Sequence, residues 1–216
     1  MIIKSSAFEI PIYKTTLPNH KEVKEKFLKD VMPKLEALPG PNNVGLNLYS
    51  DYFGGLEKLG PEWVEYYNST IVNFQKKAGF NQNKKWVTDV DLWYNVGIEG
   101  SSQEEHDHMG GFPGVVYSAI HYLIYDPAEH KPTIFYNPIH HTYLRNMHPC
   151  NGEDMPTDWQ KGYYSPTVAE GDIIFFPSYL RHSVEYQRSK TVRATIAMNL
   201  TIGNPNEFLF KNVVTS

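Results

Sequence analysis

Residues 103–111 read QEEHDHMGG and put five side chains able to bind a metal at consecutive positions: Glu104, Glu105, His106, Asp107 and His108. On an extended strand, side chains two apart share a face, so His106 and His108 can address one ion while Asp107 points away. Glu104 has the same two-residue spacing on the other side of His106, and Asp107 could serve only if a bulge rotated the strand. With 9 histidines in the chain, a near pair arises easily, and a solvated pair is the plain alternative.

A second stretch about 75 residues later strengthens the metal reading. In EGDIIFFPSYLRHSVEY (170–186), Gly171 admits a turn into an apolar strand, Pro177 ends that strand and His182 opens the next. A jelly-roll barrel presents side chains from such a position into its mouth. Arg193 follows, with Thr195 two residues on and Val192, Ile196 and Met198 as apolar flanks. If the strands around them form a hairpin turning near Arg188–Ser189–Lys190, Arg193 returns beside His182. A guanidinium with a nearby hydroxyl suits a carboxylate, and a buried arginine needs an anionic partner. A surface arginine on an edge strand is the alternative, against which the apolar flanks argue.

These residues must be positioned by a chain of 216 residues, enough for one well-buried core. HKEVKEKFLKDVMPKLEAL (20–38) spaces Val23, Phe27, Val31 and Leu35 as one helical stripe, with Pro33 expected to bend or end it. A second helix is expected from Pro61 to about Ala78, with Trp63, Tyr66, Ile71 and Phe74 on its apolar side and Gly79 closing it. Between them, 40–55 reads as a turn-rich connector. After residue 84, runs at 85–97, 114–126, 132–138, 171–177, 182–187 and 191–203 are rich in β-branched and aromatic residues and read as strands. Successive strands without helices between them imply an antiparallel sandwich or barrel. The segment 137–166 is long for a loop and is expected to be a lid or a partly structured insertion.

Composition excludes several classes. A net charge of −4 with scattered basic residues offers no footprint for nucleic acid. The lone cysteine, Cys150, excludes an internal disulfide framework and a cysteine-rich zinc site, and fits a reducing compartment. The start of the chain does not read as a signal peptide and no long apolar run occurs, so a soluble, cytoplasmic protein without a membrane partner is expected.

Taken together, G-x-x-Q-x-x-H-x-H (Gly100 to His108), E-G-D-x-x-x-F-P-S-x-x-x-H (Glu170 to His182) and R-A-T-I-A-M-N (Arg193 to Asn199) resemble the Fe(II)- and 2-oxoglutarate-dependent oxygenases. Within them the chain is most similar to the prolyl-4-hydroxylase-like subgroup common in marine bacteria and phages. The resemblance spans roughly residues 86–202. It implies a mainly β chain with N-terminal helices (α+β) carrying a double-stranded β-helix, a cupin-like jelly roll. One oxygenase domain over 1–216 is expected, with strand and helix support in 1–84, the jelly-roll core in 85–203 and a tail in 204–216. It also implies Fe(II), 2-oxoglutarate as cosubstrate and O2, with hydroxylation of a prolyl or other amino-acyl residue in a peptide or protein, a small molecule staying open as substrate.

Carried over residue by residue, His106 and His182 match iron ligands, and Arg193, helped by Thr195, matches the anchor for the distal carboxylate of 2-oxoglutarate. Tyr94, Asn95 and Tyr122 are further candidates for cosubstrate contact, each also readable as a core or strand-end residue. The departure is His108, where most of the family has Asp or Glu. His106, His108 and His182 are the preferred ligand set, which leaves the metal more positive than a set with a carboxylate.

Cupin-type metal proteins not using 2-oxoglutarate share the glycine and histidine spacings, but 109–116 lacks their glutamate and they give Arg193 no role. A metal-free, ligand-binding jelly roll is the non-enzymatic alternative. His140, His141 and His148 lie in the long irregular segment and are expected to be surface or substrate-covering. His121, on an apolar strand, is expected to be a hydrogen-bonded core residue.

Overall fold

Val23, Phe27, Val31 and Leu35 are buried along one stripe, as their spacing predicts, but on two helices rather than one. The computed structural model describes residues 10–109, 114–138, 162–203 and 213–215, and in it α1 (His20–Asp30) gives way at Val31 to α2 (Met32–Glu36). Pro33 stands in the first turn of α2, where its missing N–H leaves no helical bond unmade. The second expected helix is likewise divided, into α3 (Glu62–Glu65) and α4 (Asn68–Lys77), with Gly79 at φ 87° just beyond. Trp63, Ile71 and Phe74 are buried.

Eleven strands are described: β1 (Tyr13–Thr16), β2 (Leu48–Ser50), β3 (Val87–Gly97), β4 (Gln103–His106), β5 (Val115–Ile124), β6 (Thr133–Tyr136), β7 (Tyr163–Tyr164), β8 (Asp172–Pro177), β9 (His182–Val184), β10 (Arg193–Gly203) and β11 (Val213–Thr215). The large sheet runs β1-β8-β5-β10-β3-β11, with β2 also on β3, and the small sheet runs β4-β9-β6-β7. Every pairing is antiparallel. This is the expected mainly β, α+β architecture with a double-stranded β-helix.

Strand parity gives the large sheet two different faces. Leu92, Tyr94 and Val96 on β3, Ala119 and Leu123 on β5, and Ala194, Ile196 and Met198 on β10 join the helices in the main core. The alternate positions face the small sheet, where Ile120, Tyr122, Phe135, Ile174 and Phe176 form a second cluster. The helices therefore cover one face of the sheet and leave the other to line a cavity.

Three expectations need correction. The connector 40–55 contains β2, whose Leu48 and Ser50 are buried, and a 3-10 turn at Asp51–Phe53; three residues are too short a run for alternation to register in the sequence. The strands bearing His182 and Arg193 form no hairpin, because β9 belongs to the small sheet and β10 to the large one. The chain crosses between sheets, so the two residues meet across the barrel instead of along one ladder. Finally, β4 stops at His106, so His108 lies beyond the strand that was expected to carry both histidines. Residues 139–161, and with them most of the expected loop, His140, His141, His148 and Cys150, lie outside the described residues. Among the described residues no helix is long and apolar enough to cross a membrane.

Candidate active site

Gly171, at φ 88°, occupies backbone space that a side chain rarely tolerates, and its N–H donates to the Tyr122 carbonyl, 2.8 Å, at the entry to β8. The strand then runs inward and the following turn delivers His182 to β9. There His182 stands opposite His106 in the β4–β9 ladder. His108, past the end of β4, is kept in line by its own backbone: its N–H donates to the Ser178 carbonyl at 2.9 Å. The three imidazoles face one another, with ring centroids 4.3 to 5.3 Å apart, and offer one nitrogen each within 4.8 Å of the others.

Which nitrogen each offers follows from what stands behind the ring. His106 Nδ1 lies 2.8 Å from the Glu104 carbonyl and His182 Nδ1 lies 2.9 Å from the Leu180 carbonyl. A carbonyl can only accept, so Nδ1 carries the proton and Nε2 keeps its lone pair. His108 Nδ1 lies 2.6 Å from Asn199 Oδ1 and 2.8 Å from Ser118 Oγ. Burial, reinforced by the neighbouring histidines, pushes His182 down to about 3. Burial, then His106, lowers His108 to about 4 against the opposing hydrogen bond from Asn199. Both rings are therefore neutral near pH 7, as metal ligation requires.

The other metal-capable side chains of this stretch stand outside the histidine cluster, although Glu104 and Asp107 also line the cavity in front of it. Asp107 is exposed and its Oδ1 accepts the Met109 N–H at 3.0 Å. Glu104 accepts from Gln103 Nε2, and Glu105 pairs with Arg181 at 3.1 Å. Neither carboxylate belongs to the cluster that the histidines form.

A cavity of about 390 Å³ opens in front of the histidines and extends to Arg193, Thr195 and Asn95. Arg193 is only 6% exposed, and its guanidinium carbon lies 5.7 Å from the Tyr122 ring and 6.0 Å from the Tyr125 ring. Its Nε donates to the Lys131 carbonyl, and among the described residues no carboxylate lies within ion-pair distance of it. Burial lowers its pKa, opposed by the two tyrosines. A guanidinium held this deep, with no carboxylate partner among the described residues, is chemically suited to an anion.

Asn95 and Thr195 line this cavity. Tyr94 does not: strand parity turns it into the helix-covered core against Phe27, at a centroid distance of 5.7 Å, and this corrects its expected cosubstrate contact. Tyr122 is fully buried and meets Arg193 through its ring, while its hydroxyl accepts the Thr133 N–H. It props the arginine and does not line the cavity. The sequence reading missed Trp93, Ser118 and Asn199. Asn199 sits six residues after Arg193 and Trp93 two before Asn95, so parity alone could have found both. The mouth carries Tyr52 and Phe53 from the 3-10 turn, 55% and 44% exposed, with Tyr52 5.1 Å from the Trp93 ring.

Several solved structures share this fold. A prolyl-4-hydroxylase of Pseudomonas putida matches with a TM-score of 0.55 and 12% identity over 89% of this chain and 92% of its own. The viral collagen prolyl hydroxylase of Paramecium bursaria Chlorella virus-1 gives 0.52 and 11%, over 88% and 94%. HygX of Streptomyces hygroscopicus, solved with nickel and 2-oxoglutarate, gives 0.55 and 11%, over 91% and 83%. At these identities they show a shared fold. No curated protein matches in sequence. The family model described as "Putative 2OG-Fe(II) oxygenase" matches residues 91–199, which takes in the histidine cluster, Arg193 and Asn199. This chain therefore belongs to the 2OG-Fe(II) oxygenase family, enzymes that use Fe(II), 2-oxoglutarate and O2, and the cupin and non-catalytic readings fall away.

Proposed function

We propose that this oxygenase hydroxylates a C–H bond of a prolyl or other amino-acyl residue in a peptide or protein. His106, His108 and His182 would hold the metal, and Arg193, with Thr195 beside it, would hold the distal carboxylate of 2-oxoglutarate. The observation that carries the reading is the pairing of three imidazoles with one buried guanidinium, which has no carboxylate partner among the described residues, around a single cavity. When bound, iron with 2-oxoglutarate and O2 supplies oxidation of a C–H bond to C–OH, with the cosubstrate released as succinate and CO2.

The protein's contribution is placement. Three imidazole ligands would leave the full charge of a divalent ion in place, so a dianionic cosubstrate would be attracted to it at one end and to Arg193 at the other. Ile120 and Ala197 give the cavity apolar wall and limit water around the reacting groups. Tyr52, Phe53 and Trp93 offer flat apolar faces at the mouth, which suits a pyrrolidine ring presented by an extended peptide. The prolyl hydroxylases of similar fold support this substrate class.

Succinate formation from 2-oxoglutarate with Fe(II), measured with and without proline-containing peptides, tests the reading. Stimulation by peptide together with a 16-mass-unit gain on proline is expected; cosubstrate turnover that no peptide stimulates would remove the peptide substrate. For the metal, His108→Ala is expected to lose stoichiometric Fe(II) or Co(II), whereas Asp107→Ala retains it. The reverse result would restore a carboxylate ligand.

A further inference from the structure

The three imidazoles are not held alike. His106 and His182 each rest on a main-chain carbonyl two residues upstream, a support that no side-chain change removes. His108 rests on side chains from two central strands of the large sheet: Asn199 Oδ1 on β10, 2.6 Å from Nδ1, and Ser118 Oγ on β5, 2.8 Å from Nδ1. Ser118 Oγ also donates to Asn199 Oδ1, at 2.9 Å. The two strands pair with Asn199 directly opposite Ser118, so the support is built into the sheet register. Ser118 is fully buried.

We infer that Asn199, with Ser118, is the positioning residue that makes His108 a metal ligand, by holding its Nδ1 proton and presenting Nε2. The inference rests on His108 being a ligand. Asn199 Oδ1 can only accept, and it lies within hydrogen-bond distance of both Ser118 Oγ and His108 Nδ1. A ring with Nδ1 unprotonated would set a lone pair against that oxygen at 2.6 Å. The choice of amide over carboxylate has a second effect. Metal-bound histidines commonly donate to an acceptor behind them, and a carboxylate there makes the ring a stronger donor. Here the acceptor is neutral, so the centre keeps the whole charge that three neutral imidazoles leave to it. Asn199 thereby sets both the tautomer of His108 and the charge of its surroundings.

The test uses Asn199→Leu, Asn199→Asp and Ser118→Ala, with His108→Ala as the reference, and reads metal binding independently of turnover. Fe(II) or Co(II) dissociation constants and the visible d–d spectrum of the Co(II) protein are measured, with 2-oxoglutarate affinity of the metal-loaded protein determined separately. Asn199→Leu is expected to weaken metal 10- to 100-fold, the range for outer partners of metal ligands, and to change the Co(II) spectrum. Ser118→Ala should weaken it less. Asn199→Asp, an acceptor in the same place, should retain the metal and shift the spectrum.

Loss of metal with Asn199→Asp as severe as with Asn199→Leu would show that the amide donates, which overturns the inference. Unchanged metal affinity in Asn199→Leu with weakened 2-oxoglutarate binding would make Asn199 a cosubstrate contact and also overturn it. If His108→Ala itself keeps the metal, the ligand set is wrong, a failure separable from that of Asn199. Thermal melting of each metal-free variant identifies a folding defect, and Ser118→Ala then carries the test through the other partner.

Discussion

Arg193 is the residue whose burial says most about its task. A guanidinium 6% exposed, set against two tyrosine rings and one carbonyl, has no counter-charge among the described residues. Removing one side of a buried charged pair costs about 2–5 kcal/mol, or roughly 30-fold and upward in affinity. Arg193→Ala is therefore expected to raise the 2-oxoglutarate requirement by at least about 30-fold while leaving metal binding in place. Titration of cosubstrate into the metal-loaded variant checks this, and unchanged affinity would move the carboxylate anchor elsewhere. Arg193→Lys should recover part of the loss, since an ammonium restores charge but lacks the planar fork of donors.

At the scale of elements, Asp51 shows how the mouth is fastened to the barrel. It is fully buried at the start of the 3-10 turn, and its carboxylate accepts the Tyr94 N–H at 2.8 Å and the Leu59 N–H at 3.0 Å. Burial raises its pKa, opposed by those backbone donors. One side chain thus ties β3 to both ends of the segment carrying Tyr52 and Phe53. Asp51→Ala would leave the buried Tyr94 N–H unpaired, at about 1–3 kcal/mol, and remove the partner of the part-buried Leu59 N–H. A clear fall in melting temperature is expected, together with weaker peptide binding and less affected 2-oxoglutarate binding. A variant as stable as the parent would show that the turn is held by other contacts. The β9 to β10 connection makes a related point: because it changes sheets, His182 and Arg193 line one cavity from different sheets.

Over the whole molecule, the helices are joined to the sheet by a polar chain that is buried at Tyr67 and His121 and reaches the surface at Glu170. Tyr67 Oη and His121 Nδ1 are 2.9 Å apart, His121 Nε2 and His20 Nδ1 are 3.0 Å apart, and His20 reaches Glu170 at 3.5 Å, beside Lys24. Burial, then the neighbouring His20, lowers His121 to about 3 from an ordinary value of 6.5. Below 6.5 the unfolded chain takes up a proton that the folded chain refuses, so stability falls as pH drops from about 6.5 towards 3 and is flat above. One such group contributes a slope of about 1.4 kcal/mol per pH unit within that window. Metal-free His121→Gln is expected to show a shallower loss between pH 6 and 4 than the metal-free parent, measured by denaturant unfolding. Equal slopes would assign the acid sensitivity to other groups.

The sequence alone determined the elements whose signal is local. The helical stripe of Val23, Phe27, Val31 and Leu35, the long strands of 85–97 and 191–203, and the two histidine motifs are read from periodicity and from turn residues such as Gly171. It determined the family as well, since those motifs lie within the matched stretch. Short strands such as β2 escaped it because three residues cannot display a period. The direction of Tyr94 was within reach, for parity places it opposite to Asn95, but which face lines the cavity is fixed only when helices cover the other. The crossing of sheets between His182 and Arg193, and the meeting of His108 with Ser118 and Asn199, were settled by tertiary structure. Both depend on strand pairing between residues far apart in the chain, where register and not local propensity decides which side chains meet.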